Sequence, residues 1–62
     1  MIKIVRISNT RNAWSGVEMS VNDFNKLLSV LDLSNYQHTI TFEKNGYKKT
    51  MVLNEVKYEN TY

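Results

Sequence analysis

The chain has no cysteine and no proline, only two glycines and a single histidine. Without cysteine there is no disulfide to staple a small fold and no thiolate to hold a structural metal. One histidine without clustered carboxylates cannot assemble a zinc site, so neither metal nor cofactor is expected. Gly16 and Gly46 lie thirty residues apart and cannot form a phosphate-binding loop. No apolar run approaches the roughly 20 residues needed to cross a bilayer. The N-terminal Met1-Ile2-Lys3-Ile4 reads as a strand, not as a secretory leader, so the expected location is the cytoplasm. Charge of one sign is also lacking. Eight Lys and Arg against six Asp and Glu leave +2, too little to drive nucleic-acid binding and of the wrong sign for an acidic DNA mimic.

Sixty-two residues make one domain, 1–62, with residues 59–62 expected to fray. A chain this short buries only about 60% of its unfolded surface. The core therefore needs very close packing or a partner chain.

The clearest instruction present is a helix start. Ser20 is a good N-cap, Asp23 follows at the capping-box position, and Met19 and Phe24 occupy the two positions of a hydrophobic staple. Val21, Phe24, Leu27, Leu28 and Leu31 then follow helical spacing, which predicts a helix over residues 21–32. Ser34-Asn35 can end it, with Asn35 able to adopt the left-handed conformation.

On either side of the helix the pattern changes to alternation. Residues 2–8 and 14–19 read as strands around a turn at residues 9–12. A four-residue loop there pairs Ile2 with Met19, Ile4 with Val17 and Lys3 with Glu18. Residues 36–43 alternate cleanly, and Asn45-Gly46 is a strong two-residue hairpin signal. It pairs Glu43 with Lys48, Phe42 with Lys49, Ile40 with Met51 and His38 with Leu53, and the last strand is expected to run to about Tyr58. The fold class is α+β, in the order ββαββ, with two hairpins in an antiparallel sheet and the helix on one face.

A helix of about 12 residues spans about 18 Å and covers one sheet face only. Under these registers Val5, Ile7, Trp14, Val52 and Val56 fall on the other face. Such an apolar surplus on a small protein marks a contact surface and is expected to be a homodimer interface; a different register would place Val5, Ile7 and Trp14 in the core.

Three groups of residues carry possible chemistry. Residues 8–16 bring Arg11, Asn12 and Trp14 together, and Arg and Trp are enriched at binding hot spots; these three are the candidate partner-binding set. Lys48, Lys49 and Lys57 with Tyr47 mix basic and aromatic groups as sheet modules for single-stranded nucleic acid do, although Glu43, Glu55 and Glu59 offset their charge. His38 has no evident nucleophile or carboxylate partner and falls on the core face, where a locally hydrogen-bonded histidine is expected. With no acid, base, nucleophile or metal set, the chain is expected not to be an enzyme.

Eight Asn, six Lys, four Ile and four Tyr with a single Ala suggest an AT-rich gene, as in phages and mobile elements of low-GC bacteria. The expected function is a protein-interaction module that binds and inhibits a host defence or replication protein as a homodimer, in the host cytoplasm. The alternative is a small nucleic-acid-binding regulator that uses the basic second hairpin.

Overall fold

Ser20 starts the helix as its neighbours require. Its extended backbone (φ −71°, ψ 164°) turns the side chain onto the backbone N–H of Asp23, which donates to Ser20 Oγ at 3.2 Å. The helix, α1 (Val21–Asp32), presents Phe24 and Leu31 as its buried residues, with Leu27 and Leu28 packed beside them. The structure is a computed structural model, and it describes residues 1–55.

Four strands accompany α1: β1 (Ile2–Ile7), β2 (Glu18–Met19), β3 (His38–Lys44) and β4 (Tyr47–Leu53). They form one antiparallel sheet in the order β2-β1-β3-β4, so the two hairpins join through β1 and β3. The architecture is α+β with ββαββ order. The β3–β4 hairpin closes on Asn45 (φ 53°) and Gly46 (φ 82°), the doubly left-handed turn that matches strand twist. Its register holds without interruption from Lys44↔Tyr47 to His38↔Leu53. The β1–β2 register agrees with the sequence reading at Ile2↔Met19 and Lys3↔Glu18, and Ile4 N–H donates to the Val17 carbonyl at 2.8 Å.

The first strand departs from simple alternation. Ile4 pairs with Phe42 but Arg6 pairs with Thr41, which leaves Val5 as the extra residue of a β-bulge. The bulge turns Ile7 back onto the core face opposite Ile40, where it is 5% exposed. Ile2, Ile4, Ile7, Phe24, Leu31, Ile40 and Phe42 form the core, and the Phe24 and Phe42 rings meet at a centroid distance of 4.7 Å.

Several sequence expectations are corrected here. Ile7 belongs to the core because of the bulge and is not available as an interface residue. Trp14 lies in a single 3-10 turn, Asn12–Trp14, instead of on a strand, and it packs against the core. The return strand is confined to Glu18–Met19, because Gly16 (φ 83°) and the bond from Val17 N–H to the Trp14 carbonyl hold the chain in turns before it. The last strand closes at Leu53, where Asn54 takes φ 57°. The helix ends at Leu33 in right-handed conformation, without a left-handed Asn35. Asn54 supplies the cap: its Nδ2 donates to the carbonyls of Leu31, Ser34 and Tyr36 at 3.1–3.2 Å, tying β4 to the end of α1. Val56, Lys57 and Tyr58 lie outside the described residues.

Candidate interaction surfaces

The loop after β1 is fixed at its base and open at its tip. Ser8 N–H donates to the Thr39 carbonyl at 3.0 Å, and Thr39 N–H donates to Ser8 Oγ at 2.7 Å. Asn9, itself left-handed at φ 59°, donates its side-chain amide to the Gln37 carbonyl. Thr10 Oγ1 donates to the Ile7 carbonyl at 2.9 Å. These bonds tie Ser8 to β3, Asn9 to the residue just before β3, and Thr10 back to the end of β1. The 3-10 turn follows, and Gly16 N–H returns the chain to the Ile4 carbonyl at 2.7 Å. Arg11 and Trp14 sit in the same turn but in different environments. Arg11 is exposed, whereas Trp14 is half-buried against the core and anchors the loop. Asn12 contributes its backbone to the turn.

On the second hairpin Lys44, Tyr47, Lys48 and Lys49 are all exposed, with Tyr47 at 73%. Strand parity divides them. Tyr47, Lys49 and Lys44 share the face of Ile40, Phe42 and Met51, whereas Lys48 lies on the face of Thr39, Thr41 and Val52. On that second face the registers line up Glu18, Lys3, Glu43 and Lys48 in one row across all four strands, with alternating sign. Each neighbouring pair is of opposite charge, which favours this register over its slips. Val52, 41% exposed, is on this face, and Val5 is half-buried at the bulge. The apolar surplus expected here thus reduces to those two residues among the described ones.

A larger apolar surface lies where the sequence reading did not place it. Leu33 is 85% exposed and Val30 65% exposed, one helical turn apart at the end of α1. Tyr36 follows, also exposed. The available signal was the helical pattern itself, since Val30 and Leu33 fall outside the Phe24-Leu27-Leu28-Leu31 stripe.

No protein-family model, curated protein or solved structure matches the chain.

His38 is buried (3% exposed) and bonded at both ring nitrogens. Nδ1 lies 2.9 Å from the Ser8 carbonyl and Nε2 lies 2.8 Å from Ser34 Oγ. A carbonyl only accepts, so Nδ1 carries the proton and, in the neutral ring, Nε2 accepts from the Ser34 hydroxyl. The sequence reading found no nucleophile or carboxylate beside His38 and expected local hydrogen bonding; the Ser34 hydroxyl, four residues upstream, supplies one of those bonds. Ser34 Oγ also accepts from Tyr36 N–H at 3.3 Å. The arrangement stitches the end of β1, the α1–β3 connection and β3 together. Among the described residues no three His, Asp or Glu side chains gather as metal ligands, and no helix is long and apolar enough to cross a membrane.

Proposed function

We propose that the chain is a non-catalytic protein-interaction module that acts by occupying a partner's surface. The observation that carries this reading is the pair Val30 and Leu33, left open to solvent by a fold whose core is otherwise closed. With the exposed Tyr36 just beyond them they make an apolar patch at one end of α1, and contiguous apolar patches are what contact surfaces use. A non-catalytic role fits the burial of His38, which at 3% exposed is closed off from a substrate. Residue usage suits a phage or mobile-element protein, for which steric inhibition of a host protein in the cytoplasm is the matching mode of action.

Arg11 is the exposed group of the partner-binding loop, and Trp14 holds that loop in position. Arg11→Glu is expected to abolish capture of the partner from lysate while leaving the unfolding midpoint unchanged. Trp14→Phe, which keeps an aromatic anchor, should retain capture. Equal capture by wild type and Arg11→Glu would remove the loop from the binding surface.

Self-association belongs to the same proposal, with Val30 and Leu33 in place of Ile7 and Trp14 as the apolar contact. Light scattering over a dilution series should give a mass near twice 7.3 kDa, and Val30→Asp with Leu33→Asp should return it to the monomer. A wild-type monomer at every concentration would exclude the dimer.

A second reading, a regulator that binds single-stranded nucleic acid, is favoured by one observation: Tyr47 is exposed among Lys44, Lys48 and Lys49. The division of these residues between two faces weakens it, since a stacking platform gathers its aromatic and basic groups on one face.

A further inference from the structure

The sheet order leaves β4 at an edge, with no neighbour on its outer side among the described residues. The direction of its backbone groups follows from β3. Thr39 directs its N–H and its carbonyl to Ser8, on the β1 side. Antiparallel alternation then turns His38, Ile40, Phe42 and Lys44 toward β4, where they meet Leu53, Met51, Lys49 and Tyr47. The N–H and C=O groups of Lys48, Thr50 and Val52 are left facing outward. This edge is seven residues long, without proline or bulge, whereas β2 at the opposite edge has two residues.

Charge indicates the occupant. The sequence of β4, Tyr-Lys-Lys-Thr-Met-Val-Leu, contains no acidic residue. The row Glu18, Lys3, Glu43, Lys48 alternates in sign and stops at Lys48, so the next strand completes it with a carboxylate. A second copy of β4 has no carboxylate to complete that row. Paired about Thr50 it sets the two Lys49 residues diagonally across the seam, and paired about Lys49 it opposes them directly. Paired about Met51 it sets Lys49 against Leu53 and Lys48 against Asn54.

We propose that the outer edge of β4 is a strand-addition site for an extended acidic segment of a partner protein. The segment pairs its backbone with Lys48, Thr50 and Val52 and sets carboxylates opposite Lys48 and Lys49. This rests on the reading of the chain as a protein-interaction module. An antiparallel segment then reads apolar opposite Val52 and Met51, hydroxyl opposite Thr50, and acidic opposite Lys49 and Lys48.

The probe is the acetylated, amidated peptide Ile-Val-Leu-Thr-Glu-Glu-Tyr, titrated against the full chain by fluorescence anisotropy. Binding is expected to weaken about tenfold when the first glutamate is replaced by lysine. Lys49→Glu, which introduces no like charge opposite Phe42, should reverse that preference between the two peptides. N-methylation of the peptide threonine, whose N–H faces Thr50, should abolish binding, and N-methylation of its leucine, whose N–H faces away, should be tolerated. The proposal is overturned if the acidic peptide does not bind, or if methylation at threonine is harmless. It is also overturned if a single-stranded oligonucleotide binds through Lys48 and Lys49 where the peptide does not. Failure of the peptide with Arg11-dependent partner capture intact removes the β4 edge alone; loss of both removes the interaction module as well.

Discussion

Replacing Phe24 by alanine is expected to leave the chain unfolded at room temperature. Phe24 is 4% exposed and tilts onto Phe42 with an interplanar angle of 50°. With Leu31 it is one of two buried side chains that hold α1 to the sheet. Truncating a buried Phe costs about 3–5 kcal/mol. At roughly 0.05–0.15 kcal/mol per residue, a chain of this length has about 3–9 kcal/mol in all. The loss is therefore of the same size as the total stability. Phe24→Leu, which keeps most of the volume, should remain folded with a lowered midpoint. Lys26→Ala, at an exposed position of the same helix, should shift stability by less than about 0.5 kcal/mol. Urea titration followed by circular dichroism reads all three. A cooperative Phe24→Ala transition near the wild-type midpoint would show that α1 is held by something other than this contact.

The helix and the second hairpin were legible in the sequence because each is encoded locally. Ser20 with Asp23 marks where α1 begins, and the Asn45-Gly46 turn sets every pair from Glu43↔Lys48 to His38↔Leu53. The first hairpin was legible only near its open end. The run Ile-Val-Arg-Ile after Lys3 offers no glycine or proline to signal an extra residue, so strict alternation put Ile7 on the wrong face and the bulge at Val5 corrects it. Trp14 moved for a related reason. Residues 14–17 alternate well enough for a strand, but Trp14 N–H and Val17 N–H close turns on the Arg11 and Trp14 carbonyls, and only Gly16 N–H and the Val17 carbonyl reach across to Ile4. Asn54 was beyond reach, since its donors meet carbonyls 18 to 23 residues away and no periodicity encodes that meeting.

The surfaces divide along the same line. The exposed lysines of β4 follow from the hairpin register, and the two charge pairs Lys3–Glu18 and Glu43–Lys48 were each readable within one hairpin. That they form a single alternating row depends on Lys3 meeting Glu43, a contact between hairpins that neither repeats nor alternates in sequence. The outer edge of β4, unpaired among the described residues, likewise emerges only once β1 and β3 are known to be the inner strands. A surface made by strand order is invisible to a reading of elements one at a time, which is why the expected apolar face was overdrawn and the proposed β4 site was not singled out.

Replacing His38 by leucine is expected to cost about 2–4 kcal/mol although leucine fills much of the same space, because two polar groups lose their partner at once. The Ser8 carbonyl loses the Nδ1 proton and the Ser34 hydroxyl loses the Nε2 acceptor. Both serines are half-buried, so water can restore part of the loss and the cost falls short of that for two sealed groups. Two further variants separate the bonds. His38→Asn keeps a donor near the Nδ1 position and should recover the Ser8 contact, while His38→Gln reaches the Nε2 position and should recover the one to Ser34. Each is expected to lie between wild type and His38→Leu in urea midpoint. Ser34→Ala, which leaves Nε2 without its donor, should cost about 1 kcal/mol and should not add fully to His38→Asn, since both lose the same bond. Nitrogen-15 shifts of the ring should show the proton on Nδ1, the tautomer that the Ser8 carbonyl requires. A leucine variant as stable as wild type would mean that His38 occupies its site for shape alone, and the link between β1, the α1–β3 connection and β3 would then rest on the Ser8–Thr39 pair of bonds.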